Sequence, residues 1–272
     1  MNRLSLFLLT LLLAPSYTSF SQADSPTKIL FVGKQPDHPF GSHMYMHTSK
    51  MLAKCVEQNG DIQTVVSSGW PEDASKLNGV STIVVYTNPA AEFLLDSPHR
   101  DEITKLLDSG VGLVTIHWAS TVVEKNFERL GPKWISYLGG TWISNVGLHT
   151  GNSHLTQLTP KHPVCQGWQE YEIHDEYYLN PHITDAATPV LQVEANQKPV
   201  IVGWAYERHN NGRSYATTLG HFYSNFQHES FRRMVVNAIL WTAHAKIPEE
   251  GAQVDLTEEE LALPPKPTKK NS

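Results

Sequence analysis

Two kinds of hydrophobic run alternate with polar stretches along this chain. The first, LSLFLLTLLLA from Leu4 to Ala14, is apolar except at Ser5 and Thr10; it follows Arg3 and precedes the small residues Ser21 and Ala23. It is too short to span a bilayer as a helix, and the order basic, apolar, small reads as a secretory signal cleaved after Ala23. Beyond it the runs are shorter and rich in Val and Ile: KILFVG (28–33), DIQTVVSS (61–68), VSTIVVY (80–86) and VGLVTIH (111–117). Runs that stay apolar instead of alternating predict strands buried on both faces, as in a parallel sheet. Between them, Met44, Thr48, Met51, Leu52 and Cys55 recur at helical spacing ahead of Gly60, and a second helix is predicted around Asp101–Asp108. Strands alternating with helices give an α/β class with a mostly parallel central sheet covered on both sides.

The second half is more strand-like and more aromatic. TPVLQVE (188–194), PVIVGWAYE (199–207) and RSYATTLGH (213–221) read as strands. FRRMVVNAILWTA reads as a closing helix with Phe231, Met234, Val235 and Ala238 on one face and Ser230 as its cap. LGGTWISNVGLHTGNSH (138–154) reads as a long glycine-containing loop. The charged, proline-rich end reads as a mobile tail. The predicted organisation is a signal peptide over 1–23, one domain over 24–247 and a tail over 248–272.

Charge and cysteine count narrow the class. The 272 residues carry a formal charge of −6, which becomes −7 once Arg3 leaves with the signal. A mildly acidic surface argues against nucleic acid and anionic membrane as partners. The expected location is periplasmic or secreted, with no membrane attachment after cleavage. Cys55 and Cys165 are too few for an all-cysteine zinc site, and Cys55 falls on the apolar side of its helix. Neither the glycine fingerprint of dinucleotide sites, the phosphate loop, nor the G-x-S-x-G elbow occurs.

Open parallel sheets bind ligands beyond the carboxyl ends of their strands. That rule picks out Asp37, His38 and His43 after the first strand, His117 and Trp118 after VGLVTI, and His221 before Phe222 and Tyr223. His117 sits where an α/β elbow would carry a nucleophile. The pair His43 and His47, four apart, borders a stripe with Lys50 and Lys54 that reads as solvated. HDEYY (174–178) adds Asp175 and Glu176, of which a strand can turn only one toward a pocket. Imidazoles and carboxylates suit acid–base work, with His117, Asp175, Glu176 and His221 as the catalytic candidates. Alternatively His43, His117, His149 and His221 hold a divalent metal, zinc fitting imidazole best. Trp118, Trp142, Tyr177 and Tyr223 are the candidate platforms for a sugar ring.

The ordered motifs GSH, GVGLVTIH, LGG with its histidine loop, KHPV, HDEYY and GRSYATTLGH resemble those of the ThuA-like (trehalose utilisation) family from about Lys28 to Ala243. The resemblance implies a three-layer α/β/α sandwich similar to class I glutamine amidotransferases, a flavodoxin-like arrangement. It also implies that the elbow position holds a histidine or another non-thiol, so glutaminase activity is not expected, and that the setting is sugar catabolism, often beside oxidoreductases making keto-sugars. The matching positions are His43, His117, His149, Asp175, Glu176 and His221. Relatives more commonly read His-Pro after LGG; here the loop reads Leu148-His149-Thr150 with His154 near. The expected activity is acid–base or metal-assisted chemistry on a neutral sugar or keto-sugar. The alternatives are a non-catalytic glycan-binding module and an interaction protein on a decayed elbow.

Overall fold

The computed structural model describes residues 26–266. The expected signal peptide lies outside them. In chain order the elements are β1 (Thr27–Gly33), α1 (Tyr45–Val56), β2 (Ile62–Ser68), β3 (Val80–Val85), α2 (Ala90–Leu95), α3 (Arg100–Asp108) and β4 (Gly112–Ile116). There follow β5 (Thr121–Val122), α4 (Phe127–Leu138), β6 (Gly140–Ile143), β7 (Leu148–Gln157), β8 (Tyr171–Tyr178) and β9 (His182–Ile183). The chain closes with β10 (Thr188–Ala195), β11 (Lys198–Glu207), β12 (Arg213–Thr217), α5 (Tyr223–Gln227), α6 (Glu229–Thr242) and α7 (Glu258–Leu261).

One nine-stranded sheet runs β2-β1-β3-β4-β12-β11-β10-β7-β8, and a small sheet joins β5, β6 and β9. The pairings among β2, β1, β3, β4 and β12 are parallel; those from β12 through β11, β10, β7 and β8 are antiparallel. The sheet is therefore mixed and not mostly parallel. The reason is local. Only Asn196 and Gln197, both with positive φ, separate β10 from β11, and a parallel pair needs a crossover of a dozen or more residues.

Helices cover both faces of the parallel half. Ile29 and Phe31 of β1 face a core shared with Met51 and Leu52 of α1 and with Met234 and Val235 of α6. Leu30 and Val32 point the other way, toward Leu94, Ile103, Leu107 and Trp134 of α2, α3 and α4. This two-sided burial is why β1 reads as an unbroken apolar run. In β7, by contrast, exposed and more buried residues alternate, as expected of an antiparallel strand with one wet face.

Three local expectations are corrected. Residues 138–154 form the end of α4, β6 and the first part of β7, and no long loop. His228 holds the cap position of α6, so Ser230 lies within its first turn. The segment from Pro248, expected to be mobile, packs on the domain as far as Leu263. Ala252 and Val254 are buried against the α1–α6 core, the Gln58 side chain pairs with the backbone of Asp255, and a capping box at Thr257 starts α7. Its apolar positions are too sparse to show a period, but they suffice to seat it. Among the described residues no helix is long and apolar enough to cross a membrane.

Candidate functional site

Three loops at the carboxyl ends of β1, β4 and β12 meet above the sheet. Two of them are stitched by backbone: His43 N–H donates to the His221 carbonyl (3.0 Å), Tyr223 N–H to the Gly41 carbonyl (2.8 Å), and Ser42 forms a β-bridge with Phe222. Gly220, at φ 107°, makes the turn that sends His221 back toward β4. His117 holds φ 54° and His43 φ 48°, in the left-handed region that non-glycine residues seldom occupy. The elbow thus keeps the strained backbone that would present a nucleophile, but it presents an imidazole.

The result is a convergence of three ring nitrogens. His43 Nε2 lies 3.1 Å from His221 Nδ1, which lies 3.2 Å from His117 Nε2, and all three atoms are within 4.8 Å of one another. Two of the rings have their proton fixed on the far side. His117 Nδ1 is 2.7 Å from the Thr218 carbonyl, which can only accept, so Nδ1 carries the hydrogen and Nε2 offers a lone pair inward. His43 Nδ1 faces Asp37 Oδ1 (3.1 Å) and the Tyr45 hydroxyl oxygen (2.7 Å), while Tyr45 donates its own proton to Asp37 (3.0 Å). Nε2 of His43 is therefore also a lone pair aimed inward. Histidines bound to metals typically donate the second ring N–H to a carboxylate or a backbone carbonyl in this manner.

Electrostatics point the same way. Burial, aided by the neighbouring histidines, lowers His43 to about 4, and burial with the nearby charge of His38 lowers His221 to about 4. Burial drives His117 well below the ordinary imidazole value. Burial tends to raise Asp37, but hydrogen bonds from His38, Lys34, His43 and Tyr45 outweigh it and hold the carboxylate below its usual range. The cluster is neutral imidazole backed by an ionised carboxylate, the protonation a divalent ion requires. Bonds of 2.0–2.1 Å to a tetrahedral ion put ligand nitrogens about 3.3 Å apart, close to the 3.1 and 3.2 Å seen here. Glu176 Oε1 stands at 3.6 Å from His221 Nδ1 and 3.8 Å from His117 Nε2, near enough to close a fourth position or to handle a proton.

The other candidates separate clearly. Trp118 lies beside the cluster, its ring 5.5 Å from His38 and 5.7 Å from His43. Trp142 reaches it only by stacking on Tyr178 at 4.1 Å. His149 is not in the cluster; it sits on β7 against Tyr177. Tyr177 turns away, donating to the carbonyls of Gly151 and Ile173. Tyr223 donates to the Leu261 carbonyl and meets His47 at 3.1 Å, so His47 pairs with Tyr223 and makes no clamp with His43. Asp175 is fully buried and faces backbone, accepting from Gly220 N (2.6 Å), His221 N (3.0 Å) and Glu176 N (2.9 Å). Burial pushes its carboxyl up to about 7 against those N–H groups, which favour the ionised form.

Sequence reasoning passed over Tyr45, Tyr178 and Thr218. For Tyr178 the signal was present: on a strand it shares a face with Glu176, two residues back, whereas Tyr177 shares the face of Asp175. Both cysteines are buried free thiols, each raised to about 12 by burial, and neither adjoins the histidines.

Comparison with known proteins bears on the fold and the family. The fold is similar to that of a ThuA-like protein from Bacteroides uniformis, with a TM-score of 0.61, 17% identity, and 81% of this chain and 93% of that one covered. A glutamine amidotransferase from Thermotoga maritima aligns over 80% of this chain and 99% of its own at 9% identity, with a TM-score of 0.48. No curated protein matches the chain. The family model described as "Trehalose utilisation" matches residues 28–242, and the chain belongs to this ThuA family.

Proposed function

We propose that this protein is an exported enzyme of carbohydrate breakdown that acts on a neutral sugar or keto-sugar with the help of a divalent metal, zinc suiting the donors best. The observation that carries this reading is the convergence of His43 Nε2, His117 Nε2 and His221 Nδ1, two of them with their ring proton directed outward onto Asp37 and Thr218. Three neutral imidazoles leave an open position, the arrangement of catalytic rather than structural zinc. The ion would act as a Lewis acid on a sugar oxygen, and Glu176 would take or return the proton. His117 and His221 acting as the acid–base pair without metal is the competing chemistry. In it the His43 Nε2 lone pair meets His221 Nδ1 at 3.1 Å and the His117 Nε2 lone pair meets the Tyr178 hydroxyl at 3.1 Å.

The carbohydrate part rests on the family description and on Trp118, a half-buried indole beside the cluster. A neutral ligand is favoured because Lys34, which reaches the Asp37 carboxylate behind His43, is already paired with it at 3.1 Å. A purely binding module is less well supported, since Tyr177 and Tyr223 do not face the site. In a panel of neutral, keto- and phosphorylated disaccharides, binding and turnover are expected for the uncharged classes; tighter binding of the phosphorylated ones would end this reading. Glutamine is expected to release no ammonia, with or without Cys55→Ala or Cys165→Ala.

Export rests on the leader from Met1 to Ala23. Amino-terminal sequencing of the mature protein is expected to begin at Asp24; an intact Met1 on the purified chain would sink the proposal.

A further inference from the structure

Tyr178 ends β8 and is 3% exposed. Its ring lies flat on Trp142 and is tilted against His117 at 4.8 Å, and its hydroxyl is 3.1 Å from His117 Nε2. Because the proton of His117 is held on Nδ1 by Thr218, Nε2 can only accept, and the hydroxyl is the donor of that bond. Burial, together with the charge of Glu176, keeps the phenol protonated. One lone pair thus receives both the Tyr178 proton and the approach of His221 Nδ1 at 3.2 Å.

Resting on the metal reading above, we propose that Tyr178 is the hydrogen-bond donor to the oxygen held at the open metal position. An ion that takes the Nε2 lone pair removes the acceptor Tyr178 now uses. The hydroxyl is left pointing into the cluster with its proton uncommitted, fixed in direction by the Trp142 stack. An oxygen beside the ion is then the acceptor within reach, whether it comes from water, a sugar hydroxyl or a keto carbonyl. Tyr178 would polarise that oxygen beside the carboxylate chemistry of Glu176, as preorganised donors do at developing oxyanions. This role also explains why a tyrosine is buried among imidazoles: phenylalanine would stack on Trp142 equally well.

The test loads the intact chain with cobalt(II), whose visible absorption reports its ligands, and titrates acetate and thiocyanate into wild type and Tyr178→Phe. Acetate offers an oxygen that accepts a hydrogen bond; thiocyanate coordinates through nitrogen and leaves little acceptor there. The variant is expected to bind acetate about tenfold more weakly, the loss of roughly one buried hydrogen bond, with thiocyanate affinity changed by less than about twofold. Equal weakening of both anions, or of neither, overturns the role of Tyr178 and leaves the metal site standing. Wild-type protein that takes up no cobalt overturns the proposal together with the reading beneath it. If Tyr178→Phe does not fold, the wild type decides the question. Zinc addition must then shift the ultraviolet absorption of a buried phenol as its proton leaves His117, and an unchanged tyrosine band overturns the proposal.

Discussion

Protein purified without a polyhistidine tag is expected to contain about one zinc ion per chain, and His117→Ala or His221→Ala to lose it. Each substitution removes one of three inward-facing donors, and an ion left with two imidazoles is bound far more weakly. His149→Ala is the control, because His149 sits on β7 outside the cluster. The pH dependence follows from the lowered imidazoles. A ligand must be deprotonated to bind, and His43 and His221 protonate only near 4, against an ordinary value of 6.5. Zinc content should therefore hold from neutral pH down to about 5 and fall below it, where an unperturbed histidine site would begin to release metal near 6.5. Metal-free protein shows the same groups as a stability term. Their folded pKa lies below the unfolded one, so the unfolded chain binds the extra protons, and stability present above 6.5 is lost as the pH falls toward 4. Elemental analysis across that range checks both the stoichiometry and the sign. Full activity in protein stripped of metal would reject the zinc reading and return the histidines to acid–base roles.

Asp175→Ala is expected to cost about 3 kcal/mol of stability and to release zinc as well. The carboxylate gathers the N–H groups of Gly220, His221 and Glu176 in a site with no solvent exposure, and each buried donor left without an acceptor costs roughly 1–3 kcal/mol. The lower part of that range is appropriate because the 220–222 loop can relax and admit water. Two of the three donors lie in the turn that aims His221, so loosening it should move the ring off the other two nitrogens. Asp175→Asn is predicted to be intermediate: it retains one acceptor oxygen but turns an amide NH2 toward a backbone N–H. Thermal melts and zinc content measured on the same samples separate the alternatives. A positioning role lowers both together. A direct proton-transfer role would leave a protein that melts normally, keeps its zinc and does not turn over.

Much of this molecule is legible along the chain because much of it is local. Strands buried on both faces must be apolar at every position, so β1, β3 and β4 announce themselves as unbroken Val/Ile runs, and the helical spacing of Met44, Thr48, Met51, Leu52 and Cys55 marks α1. The rule that sheets bind ligands at carboxyl ends then selects His43, His117 and His221, because His117 and His221 follow their strands by one and four residues and His43 stands near the end of the loop that leaves β1. The antiparallel half was also written locally, in the two-residue gap at Asn196–Gln197, though its meaning depends on how little chain a hairpin needs compared with a crossover. The face of Tyr178 follows from the strand period once Glu176 is taken as the reference.

What the chain alone does not carry is distance between loops. His43 and His221 are 178 residues apart in sequence, and they meet because β1 and β12 are brought together through β3 and β4 and because the Gly41–His43 and His221–Tyr223 backbones pair. The same long-range order excludes His149, which is paired in register with Tyr177 and so shares its face, opposite to that of Glu176 and Tyr178. It also seats Asp175 beneath a turn as an acceptor, since its partners include backbone groups 45 and 46 residues away. Residue type and period determined which side chains stand at strand ends and which way they face. Only the tertiary structure decided which of them converge, because the rings are placed by non-local backbone pairing and, for His43 and His117, by a hydrogen bond on the far side, and the pairing has no local sequence signature.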